Sequence, residues 1–143
     1  MVETNSVFTQ LRSVLQEAYF LQFLKMSELD ELIAHLRMIR VQKGYEIICQ
    51  GNPGDAFYLI ASGRVSVWTR EGGKQKKIAE LQTNDFFGEM ALMSNEPRNA
   101  TVIAEMVTEL FVLQKNDFDK ILLKNPNIAL ELKRVFQERT QSR

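Results

Sequence analysis

The chain has 143 residues, 18 of them basic and 18 acidic, with 45% hydrophobic and 25% charged residues. That length gives one domain with a single buried core, and the balanced charge argues against a broad surface for nucleic acid or an anionic membrane. One cysteine (Cys49) and one histidine (His35) leave neither a disulfide framework nor a multi-imidazole metal site.

In chain order, Val7, Leu11, Val14, Leu15 and Ala18 predict an amphipathic helix within an N-terminal segment at 1–25, frayed over 1–6. A denser apolar run, Phe20-Leu21-Phe23-Leu24, follows it. Leu29, Leu32, Ile33 and Leu36 predict a second helix, capped by Ser27 with Asp30, on which His35 is a boundary residue. All seven glycines then fall between 44 and 88, punctuating short β-like runs at 46–49, 57–61, 65–69 and 76–81. Cys49, ending the run Ile47-Ile48-Cys49, is expected as a buried strand residue. Arg70, Lys74, Lys76 and Lys77 beside Gly72-Gly73 predict a solvated hairpin loop. Further strands are predicted at 101–104 and 109–113. Phe118, Ile121 and Leu122 predict a helix capped by Asn116. Asn125-Pro126 ends that helix, and Ile128, Leu132, Val135 and Phe136 give the last one an apolar stripe.

Helices around a run of short strands, without βα alternation, define an α+β chain, best built as a two-sheet jelly roll with helices at both termini. No apolar run approaches the roughly 20 residues of a membrane span, and the N-terminus lacks a signal-peptide pattern, so a cytoplasmic protein is expected.

The residues most telling of function lie between the last two predicted strand groups: Phe86-Phe87-Gly88-Glu89-Met90-Ala91-Leu92, then Pro97-Arg98-Asn99-Ala100-Thr101-Val102. A planar guanidinium at Arg98 can hold two phosphate oxygens at once. A short helix over 88–93 offers unpaired N–H groups to an anion, and Gly88 removes a side chain where backbone and ligand approach. Glu89 is suited to accept a hydroxyl proton, its charge offset by Arg98 and the helix start. Taken singly, Glu89 reads as a helix-dipole residue, Arg98 as an exposed loop cation, and Phe87, Met90, Leu92 and Val102 as core.

The string resembles the phosphate-binding cassette of cyclic-nucleotide-binding domains, such as those of catabolite activator and the regulatory subunit of protein kinase A, and suggests a bacterial member. The earlier Gly51-Asn52-Pro53-Gly54-Asp55-Ala56-Phe57-Tyr58-Leu59-Ile60-Ala61-Ser62-Gly63-Arg64-Val65 is similar to that family's turn–strand–turn signature. The resemblance implies an eight-stranded antiparallel jelly roll (a double-stranded β-helix) within a domain at 26–143, with the roll at about 38–114 and C-terminal helices at about 116–141. It implies a site of Phe87, Gly88, Glu89, Met90, Ala91, Arg98, Asn99 and Ala100. In it Glu89 holds ribose, Arg98 holds phosphate, and the amides of Ala91, Asn99 and Ala100 complete the cradle. Leu132, Val135 and Phe136 are the candidate cover for the base.

Asn99 departs from the alanine or serine of many cAMP-binding relatives and the threonine associated with cGMP, so base preference leans to cAMP on general grounds, with cGMP second. The ligand is a cyclic mononucleotide, and no metal or other cofactor is expected. The implied role is non-enzymatic: occupancy moves the C-terminal helices and is passed to an effector protein or domain. A homodimer through the N-terminal helix is an option. The eighteen residues after Asn125 are too few for a helix-turn-helix domain. The alternative is a nucleotide-independent interaction domain on the same fold. A metal-dependent jelly-roll enzyme is disfavoured by the single histidine, and no Ser-His-Asp or Cys-His set can be assembled.

Overall fold

The structure is a computed structural model that describes residues 2–18, 21–94 and 96–141, with the backbone alone at 2–8, 136 and 138–141. The chain divides into two compact units, Met1–Leu36 with Asn116–Arg143, and Arg37–Lys115.

The second unit is the jelly roll. Its strands are β1 (Arg37–Val41), β2 (Glu46–Ile48), β3 (Ala56–Ser62), β4 (Arg64–Glu71), β5 (Lys74–Gln82), β6 (Phe86–Phe87), β7 (Thr101–Ala104) and β8 (Thr108–Gln114). They form two four-stranded sheets, ordered β1-β8-β3-β6 and β2-β7-β4-β5, and the pairings are antiparallel. The core lies between the sheets. Val41, Ile60, Phe87 and Leu110 from the first meet Ile48, Val65, Val102 and Ala104 from the second. Such side chains, taken fully out of water, each contribute about 1.5–3 kcal/mol, which outweighs any strand propensity here. The expected eight-stranded α+β jelly roll is therefore the observed fold.

Two strands have no counterpart among the predicted runs. β1 exposes Arg37, Met38, Ile39 and Arg40 at one sheet edge, so it carries no inside–outside alternation. β6 is two residues long. Cys49 corrects an expectation: β2 stops at Ile48 after an irregularity in its pairing with β7, and Cys49 is exposed. The β4–β5 connection is the predicted hairpin. Glu71 pairs with Lys74, and Gly72 (φ 58°) and Gly73 (φ 81°) both sit in the left-handed region, as a type I′ turn demands.

The first unit is helical, with α1 (Val2–Gln16), α2 (Met26–Ala34), α3 (Lys115–Lys124, its first residue shared with the roll) and α4 (Pro126–Gln141). α1 is already helical from Val2, where frayed residues are expected, and Leu11, Leu15 and Ala18 are buried as predicted. Of the run after it, Leu21 is buried and Phe23 exposed, while Phe20 lies outside the described residues. Arg12 bridges to Asp30, and Lys124 to Glu31. Ser27 is not the cap of α2. It lies inside the helix, and the Glu28 carboxylate accepts the Lys25 amide at 2.7 Å instead. His35 ends α2 half-buried, its Nδ1 2.9 Å from the Glu31 carbonyl oxygen. Asn116 lies within the first turn of α3 rather than before it. Pro126 opens α4 as expected, and the Asn125 carbonyl accepts from Ile128 and Ala129. Among the described residues, no helix is long and apolar enough to cross a membrane.

Candidate functional site

The candidate residues from 87 to 100 all fall in the jelly-roll unit, between the start of β6 and the start of β7. Phe87 turns its side chain into the core, where its ring stacks on Tyr58 of β3 at 5.1 Å and 12°. The register sets this up, since Tyr58 and Phe87 are direct partners in the β3–β6 pairing. Gly88 follows with φ 80°, a conformation that costs an L-residue roughly 1–2 kcal/mol, and it turns the chain into a 3₁₀ helix over Glu89–Leu92. The expected short helix is thus present, in its tighter form. Its first hydrogen bond runs from the Ala91 amide to the Gly88 carbonyl at 3.2 Å. The Ala91 amide, expected to face the ligand, here closes the turn. Ala91 and Leu92 are buried, and Glu89 and Met90 half-buried.

Arg98 comes back toward this turn on a second arm. Its backbone is tied to the Gly51–Pro53 segment: the Arg98 amide donates to Asn52 O at 2.8 Å, and Arg98 O accepts from the Gly51 amide at 2.8 Å. Pro53 and Pro97 face each other in an isolated antiparallel bridge. These contacts explain physically why the glycine-rich turn and the cassette accompany each other: one holds the other's arginine in place.

The guanidinium is seated by backbone. Nη2 donates to the Ala56 carbonyl at 2.7 Å and Nη1 to the Gly88 carbonyl at 3.3 Å. Two glycines clear the space it occupies. A Cβ on Gly88 would lie 3.0 Å from Nη1, and one on Gly54 would lie 3.0 Å from Nε and 2.8 Å from the Ala91 Cβ. Arg98 is half-buried, and burial lowers its pKa. Nearby Tyr58, Asp55 and Glu89 act in the opposite direction and favour the cation. Both hydrogen-bonded acceptors are neutral, so the charge stays available to an anion. Asn99 is exposed at a bend, and among the described residues neither its amide nor that of Ala100 has a hydrogen-bond partner.

The base-cover candidates belong to the other unit. On α4, Leu132 is buried and Val135 half-buried, and the Phe136 side chain lies outside the described residues. Sequence reasoning missed Gly54, the Ala56 carbonyl and Tyr58 as parts of the arginine's surroundings. Gly54 stands in the turn signature, whereas a carbonyl acceptor has no side-chain signal at all. No group of three or more His, Cys, Asp or Glu suited to a metal occurs among the described residues.

Fold and cassette together define the class: a helix-flanked jelly roll carrying a glycine-started 3₁₀ turn and an arginine arm between β6 and β7. The chain belongs to the cyclic nucleotide-binding domain family, whose family model matches residues 38–125. It is 34% identical over 108 residues to a cAMP-dependent protein kinase regulatory subunit of Mucor circinelloides f. lusitanicus, covering 76% of this chain and 25% of that protein. It is 32% identical over 113 residues to the cyclic AMP receptor protein of Thermus thermophilus, covering 78% and 52%. Among solved structures, the Thermus thermophilus catabolite activator protein superposes with a TM-score of 0.70 at 30% identity, covering 86% of this chain and 58% of that one. Cyclic-AMP-bound PfPKA-R superposes at 0.75 and 30%, covering 80% and 41%. The chain thus spans from about a quarter to about half of these curated relatives.

Proposed function

We propose that this chain is a cyclic-nucleotide-binding regulatory module that takes cAMP in preference to cGMP, with Arg98 on the phosphate and Glu89 on the ribose 2′-hydroxyl. The observation that carries this reading is the seat of Arg98. A half-buried guanidinium held by two neutral carbonyls, in space cleared by Gly54 and Gly88, is a preorganised cation awaiting an anion. A phosphate offers charged acceptors in place of neutral ones, and charge-assisted bonds are roughly twice as strong. The unpartnered amides of Asn99 and Ala100 add donors beside it, and Glu89 at the start of the 3₁₀ turn supplies a carboxylate acceptor. The names of the relatives support cAMP, since they include kinase regulatory subunits and a cyclic AMP receptor protein.

In this reading occupancy is transmitted by the C-terminal helices to an effector. The nucleotide can shift that equilibrium only by its difference in affinity for the two arrangements. Calorimetric titration with cAMP and cGMP is the test. Wild type binds at least one of them, cAMP more tightly. Arg98→Leu weakens it by about 2–5 kcal/mol, on the order of 30- to several-thousand-fold. Hydrogen exchange over 115–141 changes on saturation. A wild type that binds neither nucleotide at high micromolar concentration overturns the reading in favour of a nucleotide-independent interaction domain. Binding without any change in exchange removes the helix movement alone.

A further inference from the structure

Among the described residues, four strands form the edges of the two sheets: β1 and β6 of one, β2 and β5 of the other. An edge leaves a row of backbone N–H and C=O groups unpaired, and folds blunt it by shortening, bulging or charging the strand. β6 has two residues, and β2 has three with an irregular register. β5 is long, but its register with β4 slips between Val67 and Trp68, and it carries Lys74, Lys76 and Lys77. β1 is different. Its five residues pair with β8 without a register shift, and Met38 (51% exposed) and Ile39 (38%) stand at the centre of its exposed stretch.

The apolar character continues past the strand. Apart from Ile78 on β5, the exposed large hydrophobics of the roll, among the described residues, are Met38, Ile39, Tyr45, Met106 and Val107. Backbone pairing gathers the last three near the end of β1: Val41 pairs with Thr108, and the Ala104 amide donates to Tyr45 O at 3.0 Å. This end of the roll is remote from the cassette. β8 runs from Thr108, beside Val41, to Gln114, which pairs with the Ala56 that seats Arg98. At about 3.4 Å per residue that is roughly 20 Å. An exposed apolar stretch so far from the cassette points to a polypeptide partner.

Charge decides which. Arg37 and Arg40 flank the apolar pair, both exposed, and among the described residues neither has an ion-pair partner. Glu109, opposite Arg40 on β8, accepts from Ser62 Oγ at 3.0 Å instead. A second copy fits badly. Pairing this stretch antiparallel with itself would set Arg37 against Arg40 twice, and like charges directly opposite are destabilising. An acidic strand meets the same pattern favourably, so the arginines that turn away a copy of this chain select for it.

We propose that β1 is a docking edge for an extended polypeptide segment in which two acidic residues flank two apolar ones. The segment adds a fifth strand to the β1-β8-β3-β6 sheet, with its backbone paired to β1. Its carboxylates stand opposite Arg37 and Arg40, and its apolar residues beside Met38 and Ile39. Docking there does not depend on the nucleotide reading.

The test uses the full chain and a fluorescein-labelled, end-blocked peptide, Thr-Thr-Glu-Val-Val-Glu-Thr-Thr, followed by fluorescence anisotropy. Wild type binds it, and hydrogen exchange slows over 37–41. The charge-reversed double variant Arg37→Glu/Arg40→Glu keeps the wild-type melting temperature and binds the peptide about tenfold or more weakly. It takes instead the peptide with lysine in place of glutamate, which wild type rejects. Replacing both valines by proline keeps the peptide's charge but disrupts the ladder, and lowers affinity by a similar factor. No binding at about 1 mM peptide, equal binding of the proline peptide, or no reversal of preference in the double variant overturns the proposal. Protection over 37–41 that grows with protein concentration alone also overturns it, since a second copy then occupies the edge.

Discussion

The β4–β5 hairpin and the cassette both turn on glycine, but the two use it for different reasons. Around Gly72 and Gly73 there is no atom within 4 Å of an added Cβ, so these glycines serve only the left-handed backbone of a tight turn. Around Gly88 and Gly54 the space is filled by Arg98, Ala91 and the Ala56 carbonyl. Gly88 combines both requirements, since its φ is 80°, whereas at Gly54 only the space matters. A glycine needed for shape marks a turn. A glycine needed for room marks something placed there on purpose, and here it is a cation.

Substitution separates these roles. Gly88→Ala has the largest expected effect, because it adds left-handed strain of about 1–2 kcal/mol and drives a methyl against the seat of Arg98. Cyclic-nucleotide affinity should fall by about a hundredfold or more, approaching the loss of a charge partner; retained affinity would mean that Arg98 does not need this seat. Gly54→Ala comes second. Its methyl meets the short, inflexible Ala91 side chain at 2.8 Å, so thermal unfolding should register an overpacking cost of about 1–3 kcal/mol, with weaker nucleotide binding alongside. Gly73→Ala is the smallest. It should lower stability by about 1–2 kcal/mol and leave calorimetric affinity where it was. If Gly73→Ala damaged binding as much as Gly54→Ala did, the distinction between shape and room would collapse.

The same contrast explains what could be seen in the sequence beforehand. Glu89, Arg98 and Gly88 were legible because their side-chain chemistry, or its absence, is written at fixed spacing. The roll itself was legible wherever strands bury apolar side chains, as in β3, β4, β7 and β8. β1 was not, since its first four residues are exposed and periodicity has nothing to report. Cys49 was misplaced because an apolar run says nothing about where an irregular pairing ends the strand. The acceptors of Arg98 were hidden for a deeper reason: every residue has a carbonyl, and only the fold decides which ones converge. Tyr58 depended likewise on the register of β6, a strand of two residues.

An arm that presents open amides to a small molecule also presents extended backbone to any neighbouring polypeptide. Pro53 and Pro97, both exposed and facing each other, carry no N–H. At that point neither strand has a donor to offer a passing chain, and unguarded edges of this kind are where proteins adhere to one another. The proline pair thus removes backbone donors at that point, while the amides of Asn99 and Ala100 stay available a few residues away.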